Sequence, residues 1–156
     1  IQDHANQNKG KYDVVCSYQV LEHISEVHLF IKAQVDCLKS GGKLVVSVPN
    51  NDSFIKLTDG GLLNKPPHHM GLWNKKSLGS LTSQFDLKID RIFYEPLQDY
   101  HLEWYINSTI QEKILSNKFS RIIFEKFKMR KLYSKLVNIS KSKIHGHTIM
   151  VVYKKV

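Results

Sequence analysis

Cysteine is scarce: Cys16 and Cys37 alone occur among 156 residues, and both sit in apolar patterns. That excludes a disulfide framework and suits buried thiols in a reducing compartment. No run of about 18 apolar residues exists, which excludes a membrane-spanning helix. Internal repeats and low-complexity tracts are missing, and the composition excludes fibrous and disordered classes. Acids are outnumbered: 14 Asp and Glu face 23 Lys and Arg, a formal net charge of +9. The opening at Ile1 lacks an initiator Met, a basic n-region and an apolar signal core, and so reads as cut from something longer. What remains, 42% apolar and 24% charged, is the composition of one ordinary domain, for which a cytoplasmic location is the expectation.

Two β-branched and aromatic runs, YDVVCSYQVL at 12–21 and KLVVSVP at 43–49, are near-continuously apolar. Runs of this kind suit strands covered on both faces of a parallel sheet. Between them Ser25 is placed to cap a helix with Glu26 in its first turn. Val27, Phe30, Ile31, Gln34 and Leu38, with Ala33 and Cys37 beside them, trace one largely buried helical face. Gly41 and Gly42 are expected to end that helix, because glycine takes the left-handed conformation without a Cβ clash. Strand, helix and strand make a βαβ unit.

After Pro49 and Asn50 comes a loop of about 25 residues, long enough to suggest function. It holds Gly60-Gly61, Pro66-Pro67 and the pair His68-His69. A short helix is predicted over 75–84 and strands over 85–97 and 147–156. The segment 100–143 reads as a helical insertion between those last two strands. From Glu112 to Lys143 it carries ten Lys or Arg and two acids, eight of the nine net charges. Leu115, Phe119, Ile122, Ile123, Phe127, Leu132, Leu136 and Val137 recur at helical spacing, so the segment is basic and amphipathic. The plainest expectation is a cap that buries Leu115, Phe119 and Ile123 and solvates its lysines.

The string YDVVCSYQVLEHI, a helix ending LKSGG, then KLVVSVPN and NKPPHHMGLWNKKSL, resembles the class I S-adenosylmethionine-dependent methyltransferases. Within them it is similar to a subgroup with a Pro-Pro-His-His-x-x-x-Trp loop. The resemblance covers residues 12–97 and the last strand, and implies an α/β fold in which these strands are the fourth to seventh of a Rossmann-like sheet. Their spatial order would be 4-5-7-6, in a mixed sheet with the helical insertion between strands 6 and 7. In such enzymes the first strand ends in a glycine-rich loop and the second in an acid that binds the cofactor's ribose. Glycines 10, 41, 42, 60, 61, 71, 79 and 146 form no such cluster. The chain therefore reads as one partial methyltransferase domain, its C-terminal half, with a sheet core over 12–97 and 144–156 and the basic helices over 100–143.

Ligands of open parallel sheets lie outside the carboxyl ends of the strands. The resemblance puts Ser17, Tyr18 and Gln19 beside the methionine part of S-adenosylmethionine; Tyr18 also reads as a packing aromatic and Gln19 as a turn residue. Glu22 and His23 are placed to orient that turn by capping hydrogen bonds. Methyl transfer to an oxygen acceptor needs a base, and an imidazole with an ordinary pKa of about 6.5 can take the proton near neutral pH. His68 and His69 fit that role, ahead of a purely structural loop. A metal ranks below both and is not expected, since two adjacent histidines without clustered carboxylates or cysteines are a weak signal. Asn50 and Trp73 are assigned to the acceptor pocket, though the indole also suits a core anchor for the helix at Lys75.

The expected activity is methyl transfer to the oxygen of a small-molecule or glycan-type acceptor by the full-length protein, with this chain alone inactive. The alternative is a non-catalytic binding module whose basic helices dock an anionic partner or membrane surface. Lys126, Lys128, Arg130 and Lys131 are the candidate anionic contacts, which allows a peripheral association with a membrane. Nucleic acid ranks last for want of any recognition motif. An exposed edge on the strand over 12–21 would invite self-association.

Overall fold

The computed structural model describes residues 1–57 and 64–156; Gly60 and Gly61 of the long loop lie outside them. The four strands are β1 (Tyr12–Tyr18), β2 (Leu38–Pro49), β3 (Leu87–Pro96) and β4 (His145–Lys155). They form one sheet in the order β1-β2-β4-β3. Strand β1 runs parallel to β2, whereas β4 is antiparallel to both β2 and β3. In the seven-strand numbering this is the order 4-5-7-6 expected from the sequence. Helix α1 (Gln2–Gln7) precedes β1, α2 (Val27–Cys37) joins β1 to β2, and α3 (Lys75–Gly79) precedes β3. The insertion supplies α4 (Leu102–Thr109), α5 (Lys118–Lys126) and α6 (Arg130–Ser140).

Register explains which face is core. Paired residues share a sheet face, so Leu44, Val46 and Val48 line up with Tyr153, Val151 and Ile149. All six are fully buried, and they join Ile31, Val35, Leu78 and Leu81 in the main core. The opposite face, with Val14, Tyr18 and Phe93, is exposed. Covering on both faces therefore holds for the carboxyl half of β2 but not for β1. Cys16 is likewise exposed while Cys37 is buried, so only one of the two thiols meets the expectation of burial.

The start of α2 also differs. Its N-cap is Glu26 with no side-chain capping bond, so Ser25 does not serve as the cap. At its other end, α2 passes into β2 at Leu38, and Gly41-Gly42 lies inside that strand. There the β1–β2 register jumps between the Tyr12–Leu38 and Val14–Lys43 pairs. Gly41 has φ +75°, and a Cβ on Gly42 would lie 2.9 Å from the Lys39 carbonyl oxygen. The glycines shape an irregular strand entry instead of a helix end, a use the dipeptide alone does not distinguish.

A second core lies beyond the sheet edge. Phe54 and Ile55, in a turn after β2, pack with Leu97, Ile106, Ile110 and Val137. This core seats α4 and one side of α6, with Leu115 partly buried against it. Phe119 and Ile123 do not reach it: Phe119 is 73% exposed and Ile123 is also exposed. The cap that was to bury them leaves them in solvent.

Candidate functional site

Because β4 runs antiparallel to both β2 and β3, Pro49 pairs with Thr148 and Pro96 with His145. The carboxyl ends of β1, β2 and β3 and the beginning of β4 thus share one edge. At the end of β1, Ser17 is buried and its hydroxyl has no hydrogen-bond partner among the described residues. Tyr18 is 57% exposed. Gln19 has φ +52°, turning the chain away from the sheet, and its N–H donates to the Ser47 carbonyl at 2.8 Å. Asn50, at the end of β2, is buried; its N–H donates to the His147 carbonyl at 2.7 Å and its Oδ1 accepts from the Asp52 N–H at 3.1 Å.

The Pro-Pro-His-His loop folds back onto the turn after β1. The N–H groups of Met70 and Gly71 donate to the Glu22 carbonyl at 2.7 and 3.1 Å. His23 donates from Nδ1 to the His68 carbonyl at 2.5 Å. Glu22 through its carbonyl and His23 through its ring therefore hold the distant loop. A carbonyl only accepts, so Nδ1 of His23 carries the proton and Nε2 is left with a lone pair when the ring is neutral. Asn64 Nδ2 donates to Asn51 Oδ1 at 3.0 Å, which leaves Asn64 Oδ1 to accept from His69 Nδ1 at 3.0 Å. His69 is thereby fixed in the tautomer whose Nε2 can accept a proton. Burial pulls its pKa below the usual imidazole value, and His23 and His68 push the same way. His68 is exposed.

Glu22 is buried, with Oε2 lacking a partner among the described residues, and burial raises its pKa against the pull of its own backbone N–H and of His23. Glu22, His23 and His69 offer ligand atoms within 4.8 Å of one another. The carboxylate absent from the local sequence is thus supplied by the fold. Trp73 is buried in the main core, and its carbonyl accepts from the Asn51 N–H at 2.8 Å. Next to it, Asn74 and Ser77 form a reciprocal capping box that starts α3.

Two further histidines belong to this edge and were not singled out from sequence. His147 on β4 lies with its ring centroid 5.0 Å from that of His101, which precedes α4. Burial lowers the pKa of His147, with His101 and His69 adding to the effect and Glu95 opposing it. Burial likewise lowers His101 against Glu95. Each stands where the chain crosses between sheet and insertion, and that boundary position is the signal that could have found them. Beside them a cavity of about 420 Å³ opens between the turn after β2 and α4, lined by Asp52, Ser53, Phe54, Tyr105, Lys113 and His145. The fold thus brings His69 to the His23–Glu22 turn and connects Asn50 to His147, while Ser17, Tyr18 and Gln19 end the adjacent strand.

A SAM-dependent methyltransferase from Archaeoglobus fulgidus matches with a TM-score of 0.54 at 15% identity, over 98% of this chain and 64% of that one. Geranyl diphosphate methyltransferase in complex with SAM matches at 0.52 and 10% identity, over 96% and 53%. The [4+2]-cyclase SpnF matches at 0.50 and 14%, over 94% and 50%. These likenesses establish the fold alone, and the cyclase among them shows why chemistry must be argued from the site. The chain spans under two thirds of the length of each. Among curated protein sequences nothing matches. The family described as "Methyltransferase domain" matches residues 1–92, from α1 into β3, including the turn after β1 and the histidine loop; a non-catalytic module is not favoured. On that match and the strand order, this chain belongs to the methyltransferase-domain family and carries a class I methyltransferase fold.

Proposed function

We propose that this chain is the C-terminal portion of an S-adenosylmethionine-dependent methyltransferase of the Pro-Pro-His-His-x-x-x-Trp subgroup, which methylates an oxygen of a small-molecule or glycan-type acceptor. The observation that carries the reading is His69, held at the carboxyl edge with its Nε2 free and its pKa lowered. When bound, the cofactor supplies an electrophilic methyl group. Ser17, Tyr18 and Gln19 would line its methionine part, a role supported by the unpartnered, buried Ser17 hydroxyl. His69 Nε2 takes the acceptor's hydroxyl proton. His68 contributes through its carbonyl, which holds His23 and hence the loop. Asn50 and Trp73 belong to the acceptor pocket, Asn50 joined to His147 through its backbone N–H and Trp73 anchored in the core beneath. The glycine-rich loop and ribose acid come from outside this chain, so the chain alone is inactive.

Two experiments test the reading. Calorimetric titration of this chain with S-adenosylmethionine should show no saturable micromolar binding; tight binding would overturn the division of the cofactor site. In the full-length protein, His69→Ala should lower turnover by about 100-fold or more with cofactor affinity nearly intact, as expected for a positioned base. His68→Ala should cost far less, since its backbone carbonyl remains. If His69→Ala loses activity only in step with melting temperature, the loop is structural and the base assignment fails.

A further inference from the structure

We infer that α5 and α6 form a docking surface for an anionic lipid bilayer, on which this chain lies without crossing. The first ground is a second apolar stripe on each helix. Phe124 on α5 and Tyr133 and Val137 on α6 face the core beneath the insertion. On the other side, Phe119, Ile122, Ile123 and Phe127 recur at spacings of three and four, as do Leu132, Leu136 and Ile139. All seven are exposed, Phe127 to 68% and Ile139 to 71%. A solvated helix has no use for such a stripe, and one that served the core would be buried.

The second ground is charge. Lys118, Arg121, Lys126, Lys128, Lys131 and Lys135 lie among these residues along the chain, are exposed, and form no ion pair among the described residues. Arg130 differs: its guanidinium donates to Glu103 at 2.9 Å and to Asn107 at 2.8 Å, so it ties α6 to α4. Of the four cations singled out from sequence, three remain available to a partner. Apolar side chains bordered by lysines match the acyl and headgroup layers of an anionic membrane surface, with the lysine stems covering apolar area while their charges reach phosphates. Among the described residues no helix is long and apolar enough to span a bilayer, which leaves the interfacial geometry. This surface lies outside residues 1–92, which the methyltransferase family matches, and its test is independent of methyl transfer.

The experiment is sedimentation of the whole chain with phosphatidylcholine vesicles, with and without about 30% phosphatidylglycerol. Binding should require the anionic lipid and weaken steeply as salt rises from about 0.05 to 0.5 M, where screening shortens to a few Å. Lys126→Glu with Lys128→Glu and Lys131→Glu should reduce affinity by about 100-fold or more, at roughly fivefold per lost cation. Phe119→Ser with Phe127→Ser, and separately Leu132→Ser with Leu136→Ser, should weaken binding without lowering the melting temperature, because these side chains touch no core. Equal binding to neutral vesicles, or binding indifferent to both the charge and the serine variants, would overturn the proposal. So would self-association in the absence of lipid that the same serine variants abolish, since a second copy would then be the occupant.

Discussion

His69 shows how much of a residue's chemistry depends on neighbours that sequence order hides. Adjacent histidines after two prolines stand out in the chain, and their position in a long loop marked them as candidates. Nothing local told the two apart, because the difference lies in Asn64, which fixes the His69 ring, and in His23, which takes only the His68 carbonyl. His101 and His147 offer the sequence only their boundary position, and their significance arises from a ring contact between two ends of the insertion. The three lowered histidines have a consequence for stability. A group whose folded pKa lies below its unfolded value of about 6.5 favours the folded state when neutral, and that contribution is lost as pH falls below about 6.5. We expect the melting temperature to decline between about pH 7.5 and 5.5, and His147→Gln to flatten that decline. Glu22 acts in the opposite sense, since its raised pKa favours folding most below its unfolded value of about 4.5 and loses that contribution as pH rises through the folded value. A melting temperature that is flat between about pH 7.5 and 5.5 in the wild-type chain would show that burial does not set these histidines.

At the level of elements, strands and helices were legible wherever apolar periodicity was strong. β3, β4 and α2 lie within a few residues of their expected bounds, whereas α1 was not anticipated at all. That helix presents little more than Ala5, which packs on Ala33 and Cys37, and one small residue leaves almost no periodic signal. The insertion taught the opposite lesson. Its pattern correctly announced helices, but amphipathicity says only that a face is apolar and leaves open what covers it. Glycine misled in one place and went unremarked in another. At Gly146 a Cβ would lie 2.7 Å from the Pro96 carbonyl oxygen and 2.9 Å from that of Glu95, so β4 can begin against the end of β3 only without a side chain. Gly146→Ala should therefore force the strands apart and destabilise the chain by about 1–3 kcal/mol, read as a lower denaturation midpoint. An alanine variant of unchanged midpoint would mean that the strand entry shifts freely.

At the scale of the whole sheet, β1 pairs on one side only among the described residues, and the face around Val14, Tyr18 and Phe93 is exposed. Unpaired strand edges recruit other chains. Sedimentation velocity should accordingly show concentration-dependent association, and Val14→Lys should suppress it without altering the fold; a strictly monomeric wild-type chain would show the edge to be protected. The junction of sheet and insertion has a different kind of consequence. The N–H of Leu97, just after β3, donates to the carbonyls of both Lys141 and Ile144, so the insertion leaves and re-enters the sheet at one point. Chain entropy grows only with the logarithm of loop length, and replacing 98–143 by a short turn would ease closure of the β3–β4 pair by only about 2 kcal/mol. Chain entropy is thus a small part of what the helices cost, and it stands against the burial of Phe54, Ile55 and Leu97 that they provide. Their outer surface, which touches neither core, is free to vary while the residues that close the junction at Leu97 stay as they are.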